Sequence, residues 1–298
     1  MSLLDRAAVT LLPAVPKPVV RHLSSRYIAG SELDDARRVV AELNAAGKLA
    51  TVDVLGEEIT SPEEAAAITQ AYVDVLDVID EDALDANVSV KLTGLGLNLD
   101  PALARENLLA IAARGTFVRI DMEDSSTTDA TLELYRELLA EGYGNLGVVL
   151  QAALRRTVDD ARALAGANVR LCKGIYIEPP ELAYRDFDAI RGSYVRTLDA
   201  LLDAGCYVGI ATHDEWLVDE GIRAVRERGL EPGAYEFQML LGVRPELGDR
   251  IVAGGHRLRI YVPFGRQWYE YSLRRLQENP KIAGYVAGDL ARSLLRRG

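Results

Sequence analysis

NVSVKLTGLGLNLDPALARENLLAIAARGTFVRID, residues 87–121, alternates two kinds of text. It begins and ends on short, β-branched apolar runs, NVSVKL at 87–92 and TFVRID at 116–121. Runs of that length and content suit strands, because a branched side chain packs well on a pleated surface. Between them Asp100-Pro101 supplies a helix start, a side-chain acceptor followed by a residue whose φ is already set. Gly115 sits where a helix ends. Strand, helix and strand in one short stretch predict a parallel pair joined by a crossover helix.

The alternation extends in both directions. KLATVDV at 48–54 precedes it, and LGVVLQ at 146–151, NVRLC at 168–172, CYVGIA at 206–211, AYEFQM at 234–239 and RLRIYV at 257–262 follow. Helix starts recur at Ser61-Pro62-Glu63-Glu64 and Thr127-Thr128-Asp129, and Gly142, Gly205 and Gly229 close further helical segments. Eight strands alternating with helices predict a closed (β/α)8 TIM barrel. A doubly wound open sheet is the alternative, but it has no reason to stop at eight repeats. Prolines at 13, 16 and 18 set the opening residues apart as short helical pieces and turns. The expected organisation is an N-terminal helical arm over 1–45 and one barrel domain over 46–298.

Composition narrows the function. In 298 residues, 49% are hydrophobic and 27% charged, which excludes disorder, collagen and coiled coil. A net charge of −11 repels a phosphate backbone, so no nucleic-acid partner is expected. Cys172 and Cys206 are too few for a disulfide scaffold and fall in predicted strands, where a buried thiol is the default. No apolar run approaches the roughly 18 residues that span a bilayer, and no signal-peptide layout opens the chain, so a cytoplasmic location is expected.

In a barrel, chemistry is built at the C-terminal ends of the strands. Here those ends carry Lys91, Asp121, Gln151, Lys173-Gly174, Thr212-His213-Asp214 and Tyr261, while Arg170 and Gln238 lie inside apolar strands. Seven of the eight strands thus deliver a polar group to one rim, and a buried Arg170 calls for an anionic partner. In WYEYSLRRLQEN, 268–279, Tyr271, Arg274, Arg275 and Glu278 share one helix face, with Trp268, Leu273 and Leu276 available for packing. Two adjacent guanidinium groups suit an anion such as a carboxylate or phosphate, and Glu278 can pair with either. The plainer reading is a solvated helix with an internal ion pair. Gly94-Leu95-Gly96 lacks the third glycine of a dinucleotide fingerprint, since position 99 is Leu, and no GxxxxGK[ST] occurs. His22, His213 and His256 are the only histidines and no HExxH or CxxC accompanies them, so no metal site is expected.

SVKLTGLG at 89–96, RIDMED at 119–124, VRLCKGIYIEP at 169–179, ATHD at 211–214, EFQMLLG at 236–242 and YVPFGRQWYEYSLRRLQENP at 261–280 resemble, in this order, the proline dehydrogenases. The stretch before residue 89 resembles them only loosely. The resemblance implies a monofunctional bacterial-type enzyme with a distorted (β/α)8 barrel and a helical N-terminal segment. It implies oxidation of L-proline to 1-pyrroline-5-carboxylate, the first step of proline catabolism, by hydride transfer from C5 to N5 of non-covalent FAD. A membrane quinone would take the electrons.

By the same resemblance, Lys91, Arg274 and Arg275 clamp the proline carboxylate, and Tyr261 and Tyr271 wall its ring. Arg170 lies near the flavin and stabilises charge growing on it. Asp121 orients Lys91 or the flavin, and Gln238 and Glu278 give support. Met122, Gln151, Lys173, Gly174, Ile175, Thr212 and His213 fall where the family contacts FAD. Tyr261 is expected to favour proline over hydroxyproline, the phenol filling the space an added hydroxyl needs. One departure is Ile175, where the family has a small Ala after the Lys-Gly; the bulk is expected to narrow the pocket. A chain of this length leaves no room for an aldehyde dehydrogenase domain, so a separate 1-pyrroline-5-carboxylate dehydrogenase is the expected downstream partner. Quinone reduction implies peripheral contact with the inner face of the membrane, and LARSLLRR, 290–297, is either a membrane-touching or a barrel-capping helix. Two rival readings keep the scaffold. In one, Lys91 forms a Schiff base as in class I aldolases; in the other, the barrel senses proline without turnover, against which Arg170 argues.

Overall fold

The computed structural model describes residues 26–56, 59–269 and 272. Strands β1 (Leu49–Val54), β2 (Ala86–Val90), β3 (Val118–Ile120), β4 (Leu146–Gln151), β5 (Asn168–Cys172), β6 (Tyr207–Ala211), β7 (Tyr235–Leu240) and β8 (Leu258–Phe264) close a barrel in chain order. Every neighbouring pair is parallel, including β1 with β8. Helix α1 (Leu33–Ala45) precedes β1. Helices α2 (Pro62–Glu81), α3 (Pro101–Ala112), α4 (Thr128–Ala140), α5 (Thr157–Arg162), α6 (Phe187–Asp203), α7 (Glu215–Glu227) and α8 (Pro245–Ala253) follow β1 to β7 in turn. The open-sheet alternative is thereby excluded.

Two of the three expected helix starts cap their helices through a side chain, whereas Thr127 stands at the N-cap without such a bond. Ser61 Oγ accepts the amide of Glu64 at 3.3 Å and Asp100 Oδ1 that of Ala102 at 2.9 Å, each with proline next in line. Strand limits agree closely, with one consequence for the site. β2 ends at Val90 and β3 at Ile120, so Lys91 and Asp121 stand one residue past their strands. Of the two cysteines, Cys206 is buried as expected, whereas Cys172, the last residue of β5, is only partly buried.

Alternation along the strands sorts the side chains. Val88, Val90, Val118, Ile120, Val169, Leu171, Val208 and Ile210 are fully buried and join helix residues Leu76, Leu108, Leu132, Leu198 and Val218 in one apolar core. The intervening Asp53, Ser89, Arg119, Arg170, Glu236 and Gln238 are also buried, but polar. They fill the barrel interior: Ser89, Arg170, Gln238 and Glu236 bond in a chain, while Asp53 pairs with Lys91 and Tyr72, and Arg119 with the Val148 carbonyl and Asn168. Helix α1 packs on β1 and β8 through Ala36 and Val40, so this helix shares the barrel's core. Residues 1–25 lie outside the described residues, as do Tyr271, Arg274, Arg275, Glu278 and the 290–297 segment. Among the described residues no helix is long and apolar enough to cross a membrane.

Candidate active site

Arg170 enters the barrel from the middle of β5, nearly fully buried. Its Nε donates to Gln238 Oε1 at 2.5 Å, and its Nη1 donates to Asp121 Oδ1 at 2.5 Å and to Ser89 Oγ at 3.0 Å. This supplies the anionic partner that burial demands. Ser89 Oγ donates to the same Asp121 oxygen at 2.7 Å, and the Tyr261 hydroxyl donates to Asp121 Oδ2 at 3.0 Å. The Arg170 guanidinium also lies 5.3 Å from the Tyr261 ring centre. β2, β5 and β8 therefore converge on the one carboxylate that follows β3, and β7 reaches it through Arg170. Arg170 Nη2 makes no hydrogen bond among the described residues, which leaves a buried cation with one donor available to a ligand.

Below this group the interior is an ion network. Glu236 receives Arg259 Nε at 2.7 Å and Nη2 at 3.0 Å, as well as Gln238 Nε2 at 2.5 Å. Burial alone would lift the Glu236 carboxyl, but the Arg259 charge and these bonds hold it below its ordinary value. Arg119 donates to the backbone oxygens of Val148 and Asn168 at 3.0 and 2.8 Å. Burial first, then repulsion from Arg170, pulls it down to about 9, still charged at neutral pH. Gln238 thus links Arg170 to a fixed base, as a supporting residue should.

Lys91 Nζ donates to Asp53 Oδ1 at 2.9 Å, and Asp53 is wholly buried. Tyr72 of α2 donates to Asp53 Oδ1 at 3.2 Å and to the Ser89 carbonyl at 2.7 Å, and burial followed by the Asp53 charge raises its phenol far above the ordinary value. Of the two expected roles for Asp121, orienting Lys91 or the flavin, the hydrogen bonds bear on the first only: Asp121 gathers Ser89, Arg170 and Tyr261, while Lys91 donates to Asp53. Adjacent strands β1 and β2 bring that pair together. Asp53 is also the polar contribution of β1, so all eight strands, not seven, supply a polar group to the mouth or its rim. Lys91 is thus held in an ion pair with a buried carboxylate.

The rim above β4, β5 and β6 carries the remaining candidates. Gln151 Nε2 donates to the Glu123 carbonyl at 2.6 Å, next to the buried Met122. Gly174 has φ +95°, and a Cβ there would lie 2.9 Å from Gln151 Oε1, so only glycine lets the loop after β5 press against β4. Lys173 Nζ reaches Asp214 Oδ2 at 2.6 Å, and Arg191 grips the same carboxylate at 2.9 and 2.6 Å. Burial would raise Asp214, but the hydrogen bonds and charges of Arg191 and Lys173 bring it to about 2. Thr212 Oγ1 accepts the Asp214 amide at 3.1 Å, and His213 Nε2 accepts the Leu240 amide at 2.8 Å. Ile175 is 50% exposed on the loop, not sunk into the interior. The structure thus brings Lys91, Asp121, Arg170, Gln238 and Tyr261 into the barrel mouth and Met122, Gln151, Lys173, Gly174, Ile175, Thr212 and His213 to one side of its rim.

Comparison with known proteins follows the same lines. The family model described as proline dehydrogenase matches residues 36–287. A protein named proline dehydrogenase from Deinococcus radiodurans is 36% identical over 275 residues, which cover 89% of each chain. Proline dehydrogenase 1 of Bacillus subtilis strain 168 is 36% identical over 267 residues, 88% of each. Among solved structures, proline utilization A from Bdellovibrio bacteriovorus, inactivated by N-propargylglycine, superposes with a TM-score of 0.83 at 25% identity. That match covers 92% of this chain and 36% of the longer one, so the chain spans about a third of that protein.

Proposed function

The chain belongs to the proline dehydrogenase family and is an oxidoreductase acting on proline; from that premise we propose that it oxidises L-proline to 1-pyrroline-5-carboxylate with non-covalent FAD and passes the electrons to a quinone. The observation that carries the reading is the Arg170 guanidinium, buried on one side by Asp121, Ser89 and Gln238 and keeping Nη2 for a ligand.

The rim fits the cofactor by its donor set. A guanidinium, an amide, a hydroxyl, an imidazole and an ammonium line a cradle whose floor requires Gly174, which suits an electron-poor ring with several acceptors and a pyrophosphate. Met122, Gln151, Arg170, Lys173, Gly174, Ile175, Thr212 and His213 would hold it. When bound, FAD supplies the acceptor for the hydride leaving proline C5.

The chain's own work is binding and orientation. Lys91, held by Asp53, would take the proline carboxylate together with Arg274 and Arg275; three cations around one small anion fix the ring that it bears. Asp121 fixes the Tyr261 phenol and Arg170 at once, setting one wall of the pocket and one positive charge from a single carboxylate. Tyr271 would supply the opposite wall, and Glu278 would hold the arginine pair. That charge is in place before reaction, so no reorganisation is needed as electrons arrive. The downstream step falls to a separate 1-pyrroline-5-carboxylate dehydrogenase, and quinone reduction brings the barrel to a membrane surface from the cytoplasmic side.

The test is formation of the cyclic imine from L-proline, trapped with an aromatic amino aldehyde. Arg274→Met and Arg275→Met should each raise KM for proline about tenfold or more, the loss of one charge-assisted contact of about 1.5–3 kcal/mol. Wild-type KM in both variants removes the carboxylate clamp, and no imine from the wild-type protein removes the reaction.

A further inference from the structure

Arg244 is one of only two described non-glycine residues with positive φ, at +48°, in the loop after β7 and directly before Pro245. A left-handed arginine is strained and persists only where its surroundings fix it, and such strain gathers at functional sites. Here the conformation has an identifiable use. Arg244 Nη1 donates to the backbone oxygen of His213 at 3.1 Å, and its Nη2 donates to Glu215 Oε2 at 3.1 Å. From the same loop's origin, the Leu240 amide donates to His213 Nε2 at 2.8 Å. The β7 side thus grips one residue of the β6 rim at both its ring and its carbonyl.

The grip is part of a wider brace on the 213–215 tripeptide. Asp214 is held by Lys173 and Arg191, and Glu215 also by Arg250 at 2.8 Å. Because Nε2 accepts a hydrogen bond, the His213 proton resides on Nδ1, and the ring has one tautomer and one orientation. Of these braces, only the Arg244 guanidinium contacts the His213 backbone directly.

We propose that Arg244 is a positioning residue: by holding the His213 carbonyl it keeps the ring where the Leu240 amide meets Nε2, and so preserves the Nδ1–H tautomer in the orientation that the flavin-binding rim requires. The assignment rests on the flavin reading above. Two measurements on the full chain test it. The first is the imidazole nitrogen NMR signature of His213 in flavin-free protein, resolved among the three histidines. The second is the FAD dissociation constant from flavin fluorescence. Arg244→Met should mix the two tautomers and raise the FAD dissociation constant about tenfold, the loss of one charge-assisted hydrogen bond. Glu215→Gln, which weakens the surface ion pairs but spares the carbonyl contact, should keep the single tautomer and stay within about twofold of wild type. A single Nδ1–H tautomer with unchanged FAD affinity in Arg244→Met overturns the proposal. So does an equal loss in Glu215→Gln, which would make the effect one of anchoring α7. A wild-type chain that takes up no FAD overturns the cofactor reading instead, and the tautomer measurement, made without flavin, tells the two failures apart.

Discussion

Replacing Arg170 by methionine removes the positive partner of a buried pair and leaves Asp121, among the described residues, with Ser89 and Tyr261 as donors, both neutral. With Arg170 and Asp121 at side-chain exposures of 8% and 13%, the stranded carboxylate is poorly hydrated. Breaking a buried pair from one side costs about 3–5 kcal/mol. At roughly 2–4 °C per kcal/mol for a chain of this size, the thermal midpoint should fall by about 10 °C. The double variant Arg170→Met/Asp121→Asn removes the stranded charge as well, so it should be more stable than Arg170→Met alone. Turnover should respond differently. The single and the double variant both lack the cation of the active site, and kcat should fall about 10²–10³-fold in each, with KM for proline changing less. Thermal unfolding monitored by far-UV circular dichroism, beside steady-state kinetics, separates the two effects. A double variant as unstable as the sum of the singles would refute the pairing, and a loss confined to KM would refute the electrostatic role.

Other consequences are equally concrete. Gly174→Ala forces a Cβ to 2.9 Å from Gln151 Oε1 at φ +95°, and it should weaken FAD binding at least tenfold in a fluorescence titration while proline binding elsewhere in the mouth is spared; unchanged flavin affinity would show the cradle to be irrelevant. Tyr261 should bias the enzyme against hydroxyproline, so comparable kcat/KM values for the two substrates would remove its assigned place. Asp214 has its folded value lowered to about 2, from an ordinary 3.8, so its stabilisation is complete above about pH 4 and is lost as pH falls through 2. Asp214→Asn should therefore flatten the acid side of the stability profile between pH 4 and 2, and an unaltered slope in urea titrations would contradict this.

Most of the architecture was legible because the pattern is redundant. Eight apolar runs, proline-led helix starts such as Asp100-Pro101 and a helix-closing Gly115 all agree, and a local error in any one leaves the barrel standing. Arg170 and Gln238 stood out because each interrupts an apolar strand. Asp53 did not stand out, although it repeats the spacing of Thr51 in LATVDV, because Val54 carries the apolar run past it. That Lys91 meets Asp53 was hidden for a geometric reason. Which of two carboxylates meets a lysine depends on barrel register, and register places β1 beside β2 while Asp121 turns to β5 and β8. Tyr72 and Arg244 carry no local signal at all. One reaches the site from the side of a helix, and the other acts through a backbone conformation.

The central claim is a flavin-bound proline oxidation at this barrel mouth, and the visible absorption spectrum of the purified protein tests it most directly. Flavin bands that bleach on anaerobic addition of L-proline are the predicted result. Bands that persist would keep the cofactor and reject the substrate, with Ile175 the first residue to replace by alanine. A colourless protein that cannot be reconstituted with FAD would contradict the account at its base.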